Sequence, residues 1–297
     1  MGMISKLIGS VLIVGGGYLA TNLGRIQNRM DEWTNQFKPE TLLNEIKEKK
    51  VIQNTINSFR ENREQQQGRN YEMPGSLKHT PERLISHTGF TLSFNRIHNQ
   101  PNWVAWELTK QETNGHLQRS NDFEPDPLVP LPHRVTTEDY KGSGYDRGHM
   151  VPAADMKWSA AAMNDCFYMS NICPQNHSLN SGPWAVLEKA CRRWAQQEGK
   201  IYIVCGPVFK GNKQKKIGKE HRVTVPDGFF KVVLSMKPNK EKAIGFYYSN
   251  RGGKQQMPQC ATTVDAIEEL TGIDFFVNVP DKLEKRIEAK YSLKDWK

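Results

Sequence analysis

Asp146-Arg147-Gly148-His149-Met150 sets a histidine beside a glycine, an arginine and an aspartate. A neutral imidazole can take a proton from water near neutral pH. The planar guanidinium of Arg147 suits a phosphate. Gly148 permits close approach of a bulky group or an unusual backbone angle, and Asp146 can order the loop through backbone hydrogen bonds. The run that follows supplies complementary groups. Asn171 lies at the end of an expected strand, Phe167–Ile172, and Asn180 lies just before an expected helix, Gly182–Gln197. Ser181 is placed to cap that helix and Pro183 to sit in its first turn. Trp184, Leu187, Cys191 and Trp194 form its apolar stripe. Glu188 and Arg192 share a face four residues apart, a spacing that on its own also describes an ordinary surface salt bridge. Amide oxygens, a carboxylate and a cation within one strand-loop-helix unit suit Mg²⁺, which prefers oxygen ligands and keeps several waters.

Outward from this unit the periodicity predicts an α+β domain with a largely antiparallel sheet. Thr88–Phe94 and Asn102–Leu108 alternate as a hairpin around His98 and Asn99. Further strands are expected at Ile201–Phe209, Arg222–Val225, Phe229–Met236 and Ala243–Ser249, with a Pro226-Asp227-Gly228 turn signal between two of them. Helices are expected at Ser159–Asp165, Thr263–Leu270 and Lys282–Lys290.

The N-terminal third reads differently. Leu7 to Gly24 carries no charge, is interrupted by three consecutive glycines and is followed by Arg25 and Arg29. It reads as a membrane anchor or signal-like segment over residues 1–24, with organelle targeting as the alternative. Residues 25–81 read as a polar helical spacer and linker, and residues 82–297 as the main domain. The formal charge of +9 fits a polyanionic partner. Five cysteines, Cys166, Cys173, Cys191, Cys205 and Cys260, include no CxxC pair, which argues against a zinc ribbon or thioredoxin-type site. They read as small buried hydrophobes, and export would allow one or two disulfides. No zinc-finger or helix-turn-helix pattern is present, which favours contact through phosphates over base reading.

Asp146-Arg147-Gly148-His149, Ser170-Asn171-Ile172, Leu179-Asn180-Ser181-Gly182-Pro183-Trp184, Leu187-Glu188 and Arg192 together resemble the DNA/RNA non-specific endonucleases. That family includes Serratia-type secreted nucleases and mitochondrial endonuclease G. The resemblance runs from about residue 88 to 278 and implies a ββα-metal (His-Me finger) fold. It implies His149 as general base and Asn180 as direct ligand of one Mg²⁺, with Mn²⁺ able to substitute. It implies Glu188 holding the metal through water and Asn171 orienting the site. Arg147, Arg192 and Arg119 would contact phosphate, and cleavage of DNA and RNA would leave 5′-phosphate ends. A homodimer is a further implication, and an inhibitor protein is conceivable on residues 25–70. Two departures stand out. Met150-Val151-Pro152-Ala153-Ala154-Asp155 replaces the alanine-rich run of endonuclease G-like chains, and Pro183 stands where a less rigid residue is common. The competing reading is a membrane-tethered, non-catalytic nucleic-acid-binding protein, against which the complete set of His149, Asn180 and Glu188 argues.

Overall fold

The strand Gln100–Thr109 carries the central decision of the fold, because it is apolar on both faces. The computed structural model describes residues 70–211 and 213–296. In chain order it contains β1 (Arg83–His87), β2 (Phe90–Asn95), β3 (Gln100–Thr109), β4 (Asp146–His149), α1 (Ala160–Asp165), β5 (Ile172–Gln175), α2 (His177–Leu179), α3 (Ala185–Glu198) and β6 (Lys200–Val208). It continues with β7 (Lys216–Ile217), β8 (Val223–Thr224), β9 (Gly228–Ser235), β10 (Lys242–Ser249), α4 (Met257–Cys260), β11 (Ala261–Thr262), α5 (Val264–Thr271) and α6 (Asp281–Glu288). Trp103 and Ala105 of β3 point into one core, and Val104, Trp106 and Leu108 into another. A strand so patterned must sit inside a sheet covered on both faces. It does: the main sheet runs β1-β2-β3-β6-β9-β10-β11, with antiparallel pairing throughout. The α+β, mostly antiparallel class expected from periodicity is the one observed.

The two faces are covered by different material. On one, α3 lays Leu187, Ala190, Cys191 and Trp194 against the sheet. The Trp194 ring stacks on Phe246, with centroids 6.0 Å apart, and meets Trp296 at 5.0 Å. Burying an indole this fully is worth on the order of 3–5 kcal/mol. On the other, α5 and α6 bury Val264, Ile267 and Ile287, and Tyr71, Met73 and Leu77 pack against the same cluster. The β2–β3 turn is closed by Asn95, whose Oδ1 accepts the backbone N–H of Ile97 at 2.8 Å, while Asn99 takes a positive φ of 53°.

Three local expectations are corrected. Phe167–Ile172 is not a strand: Met169–Asn171 forms a 3-10 turn and pairing begins at Ile172. The helix expected from Gly182 starts earlier and is broken. Asn176, not Ser181, caps the first turn by accepting from the Ser178 N–H at 3.0 Å, and Ser181 Oγ instead donates to the His177 carbonyl at 2.8 Å. Gly182 takes non-helical angles (φ −112°, ψ −109°), so the chain kinks between Asn180 and Trp184 before α3 proper begins, next to Pro183, which cannot donate to the preceding turn. Last, Pro226-Asp227-Gly228 does not join paired strands. β8 pairs with β7, and β9 with β6 and β10. All five cysteines are free, four of them buried. The apolar segment at residues 7–24 and the spacer up to residue 69 lie outside the described residues, and among the described residues no helix is long and apolar enough to cross a membrane.

Candidate active site

β4 and β5 form a separate antiparallel pair, with Asp146 opposite Gln175 and His149 opposite Ile172. Followed by α2 and α3, they make a ββα unit. Strand alternation puts Arg147 and His149 on one face. Phe123 lies beneath both: the Arg147 guanidinium is 4.2 Å from its ring centroid and the His149 ring 5.3 Å. Phe167 meets the imidazole edge-on at 4.8 Å, and Arg119 sits 5.0 Å over the Phe167 ring. Arg119 Nε also donates to Asn121 Oδ1 at 2.6 Å. The two arginines therefore flank the histidine. Burial, aided by these guanidiniums, pushes His149 down to about 3, so the imidazole is neutral throughout the physiological range. Its Nε2 is buried without a hydrogen-bond partner. Gly148 serves close packing: a Cβ there would lie 2.2 Å from Gln175 Oε1.

Asn171 sits in the turn before β5, fully buried. Its Nδ2 donates to the carbonyls of Val151 at 3.0 Å and Cys166 at 2.8 Å, and its Oδ1 accepts from the Val151 N–H at 2.9 Å. Its backbone carbonyl accepts from Met150 N–H at 3.0 Å. Two of the three side-chain bonds fix the chain that leaves His149, and the third ties it to Cys166. Asn171→Ala should lower stability by about 2–4 kcal/mol, since the buried backbone groups it pairs would be left unsatisfied. Urea unfolding measures this, and a neutral substitution would show that the clamp is dispensable.

Asn180 is tied to β4 by a side chain. Its Nδ2 donates to Asp146 Oδ2 at 2.9 Å, an oxygen that also meets His177 Nδ1 at 2.9 Å. Asp146 thus acts through its carboxylate rather than by ordering its loop through the backbone. With Nδ2 committed, the Asn180 Oδ1 is the free end. Asp146, Arg147 and Asn180 line an open cleft of about 530 Å³ together with Phe123 and Lys141.

Glu188 and Arg192 do not pair with each other. Arg192 Nη1 donates to Asp155 Oδ1 at 2.9 Å, and Asp155 Oδ2 accepts from Trp106 Nε1 at 3.2 Å. Burial pushes the half-buried Glu188 carboxyl up to about 7, and Asp155 adds to the rise. Lys231 and Arg192 pull the other way. Lys231, on β9, is 1% exposed, and its ammonium lies 4.8 Å and 4.7 Å from the ring centroids of Trp106 and Trp184. Sequence reasoning missed both Asp155 and Lys231. For Lys231 a signal exists, since it shares a strand face with Phe229 and Val233, which are core residues.

The donor chemistry fits a hard divalent cation: a free amide oxygen at Asn180 and a carboxylate at Glu188. Residues 68–282 match the family model described as DNA/RNA non-specific endonuclease. Nuclease 1, mitochondrial, of Schizosaccharomyces pombe is 33% identical over 73% of this chain and 72% of its own length. Endonuclease G, mitochondrial, of Bos taurus is 32% identical over 70% of this chain and 72% of its own. The chain spans 60% of the length of nuclease EXOG, mitochondrial, of Danio rerio, at 36% identity. A crystal structure of an EndoG/EndoGI complex, described as showing the mechanism of EndoG inhibition, superposes with a TM-score of 0.66 at 28% identity, covering 72% of this chain and 91% of that one. The membrane tether and the homodimer expected from the sequence find no support in these relatives' descriptions. With the ββα unit and the match over most of its described residues, the chain belongs to the DNA/RNA non-specific endonucleases, enzymes that hydrolyse nucleic acid.

Proposed function

We propose that the chain cleaves phosphodiester bonds of both DNA and RNA with His149 as general base, and that it leaves 5′-phosphate ends. The observation that carries this reading is the neutral imidazole whose buried Nε2 has no protein partner, flanked by the guanidiniums of Arg119 and Arg147. His149 removes a proton from the attacking water. Arg147 and Arg119 hold the phosphate beside it, and Arg192, kept straight by Asp155, meets the charge that builds on the phosphate oxygens. Asn171 keeps the segment after His149 in place. Asn180 and Glu188 would hold Mg²⁺, the first directly and the second through water; Mn²⁺ offers the same preference for oxygen. Bound there, the ion would neutralise phosphate charge and ease departure of the 3′ oxygen.

Lys141 continues the basic lining into a neighbouring groove with Lys215, Lys216 and Lys219. That track supports sequence-independent binding through the backbone, so affinity should fall steeply with salt. The test is purified full-length chain with plasmid DNA and single-stranded RNA, with Mg²⁺ and with EDTA, over a salt series. Cleavage of both substrates only with the metal supports the reading. Binding of both without cleavage would favour the non-catalytic alternative. Because several relatives are named mitochondrial, we also propose a mitochondrial location, with residues 1–24 as the targeting segment. An inhibitor protein is a proposed partner, by analogy with the EndoG/EndoGI complex. The proposed division of the chain is a targeting segment over 1–24, a spacer over 25–81 and the nuclease domain over 82–297.

A further inference from the structure

On the face of the sheet away from His149, α5 and α6 turn their polar edges toward each other. One oxygen each from Asp265, Glu268 and Glu288 lies within 4.8 Å of the others. Asp265 and Glu268 are three apart on α5, so they share a face. Glu268 is anchored by its Oε1, which accepts the Phe275 N–H at 2.7 Å. Asp274 and Glu284 add their charge from the same side. Arg286 of this region is taken up by Glu241 at 3.7 Å.

A solvated acidic patch would expose its carboxylates, but Glu288 is only 4% exposed. Its Oε1 is buried with no hydrogen-bond partner. A carboxylate in that state is costly unless a cation or a proton meets it. We propose that Asp265, Glu268 and Glu288 form a divalent-cation site of calcium's size that staples α5 to α6, independent of the nuclease centre. All three donors are hard oxygens, with no imidazole or thiolate to select zinc or copper. Ligands around one Ca²⁺ at about 2.3–2.6 Å can stand up to about 5 Å apart, whereas Mg²⁺ at about 2.1 Å would draw them to about 4.2 Å or less. Exposed Asp265 leaves a side open for the waters that calcium's larger coordination number needs. The competing occupant is a proton: burial, then the neighbouring carboxylates, push Glu288 up to about 9 and Glu268 to about 7 without a cation.

The test is thermal unfolding of EDTA-stripped full-length chain, titrated with CaCl₂ and separately with MgCl₂. Four forms are compared: wild type, Asp265→Asn, Glu288→Gln and Asn180→Ala. Wild type should rise by roughly 5–10 °C at saturating Ca²⁺. Asn180→Ala, which removes the proposed nuclease-metal ligand, should keep the rise, and calorimetric titration of that variant should give one Ca²⁺ per chain. Asp265→Asn and Glu288→Gln should lose it. If Glu288→Gln does not fold, the exposed Asp265→Asn carries the same comparison. A rise lost in Asn180→Ala, or kept in both carboxylate variants, overturns the proposal. So does a rise with Mg²⁺ only. If Ca²⁺ leaves wild type unmoved while Glu288→Gln alone is stabilised, the pocket holds a proton and the site is refuted.

Discussion

His149→Ala should fold normally and cleave nucleic acid roughly 10²–10⁴-fold more slowly, the usual contribution of a positioned general base. Both halves follow from one environment. The Nε2 of His149 has no partner to lose, and the ring is held only by aromatic neighbours, Phe123 and Phe167. Its removal therefore strands no hydrogen bond, and the fold is carried by the Asn171 clamp instead. Single-turnover cleavage of supercoiled plasmid, with a thermal melt of the same sample, separates the two effects. Unchanged turnover would exclude His149 as the base. A lost melt would make it a structural residue. The depressed pKa adds a finer expectation. At about 3, His149 stays unprotonated down to mildly acidic pH, so it does not set the acid limb of the rate profile.

Glu188→Gln should do two opposite things: lower activity and raise stability at alkaline pH. The Glu188 carboxyl rises from 4.5 to about 7 on folding. The folded chain therefore binds this proton more tightly than the unfolded chain does. Stability from this group is greatest below the unfolded value, declines as pH climbs from 4.5 to about 7, and is lowest above that. A shift of that size amounts to about 3 kcal/mol above pH 7. Glutamine keeps the shape and never ionises. Metal-free Glu188→Gln should thus melt roughly 5–10 °C above wild type at pH 8 and nearly level with it at pH 4.5. A divalent cation beside Glu188 favours its ionised form, so the stability gap between wild type and variant should narrow when Mg²⁺ is added. A variant less stable than wild type at pH 8 would contradict the sign. A stabilised but disabled protein is the usual result of relieving a strained functional site.

The sequence made the large elements readable because apolar runs and helical stripes stand out. β3, β6 and β9 are apolar-rich runs buried on both faces, and Ser159 and Thr263, which open two expected helices, cap them. Asn180, Glu188 and Arg192 lie on or beside the expected helix, whereas the strand β4 that carries Arg147 and His149 is not among the strands read from periodicity; Arg119 stands near them on a loop. The electrostatic frame beneath them was not readable. Asp155 aligns Arg192 across 37 residues of sequence, and Lys231 reaches the site from the middle of the sheet. Asp155 belongs to no local pattern, and Lys231 shows only as a cation on an apolar strand face. The misread strand at Phe167–Ile172 has a similar origin. Apolar residues there are buried by tertiary packing around Asn171, not by a ladder, and burial alone cannot tell strand from turn.

The kink at Gly182 makes this stretch unforgiving of length. It sets the direction in which α3, with Glu188 and Arg192, leaves Asn180. Losing one residue there would rotate all that follows by about 100° relative to Asn180. Glu188 would then face a different direction, and Trp184, Leu187 and Trp194 would be torn from their sockets. Between residues 180 and 184, chain length is therefore under tighter constraint than side-chain identity. Natural or engineered variants should vary there by substitution and not by insertion or deletion.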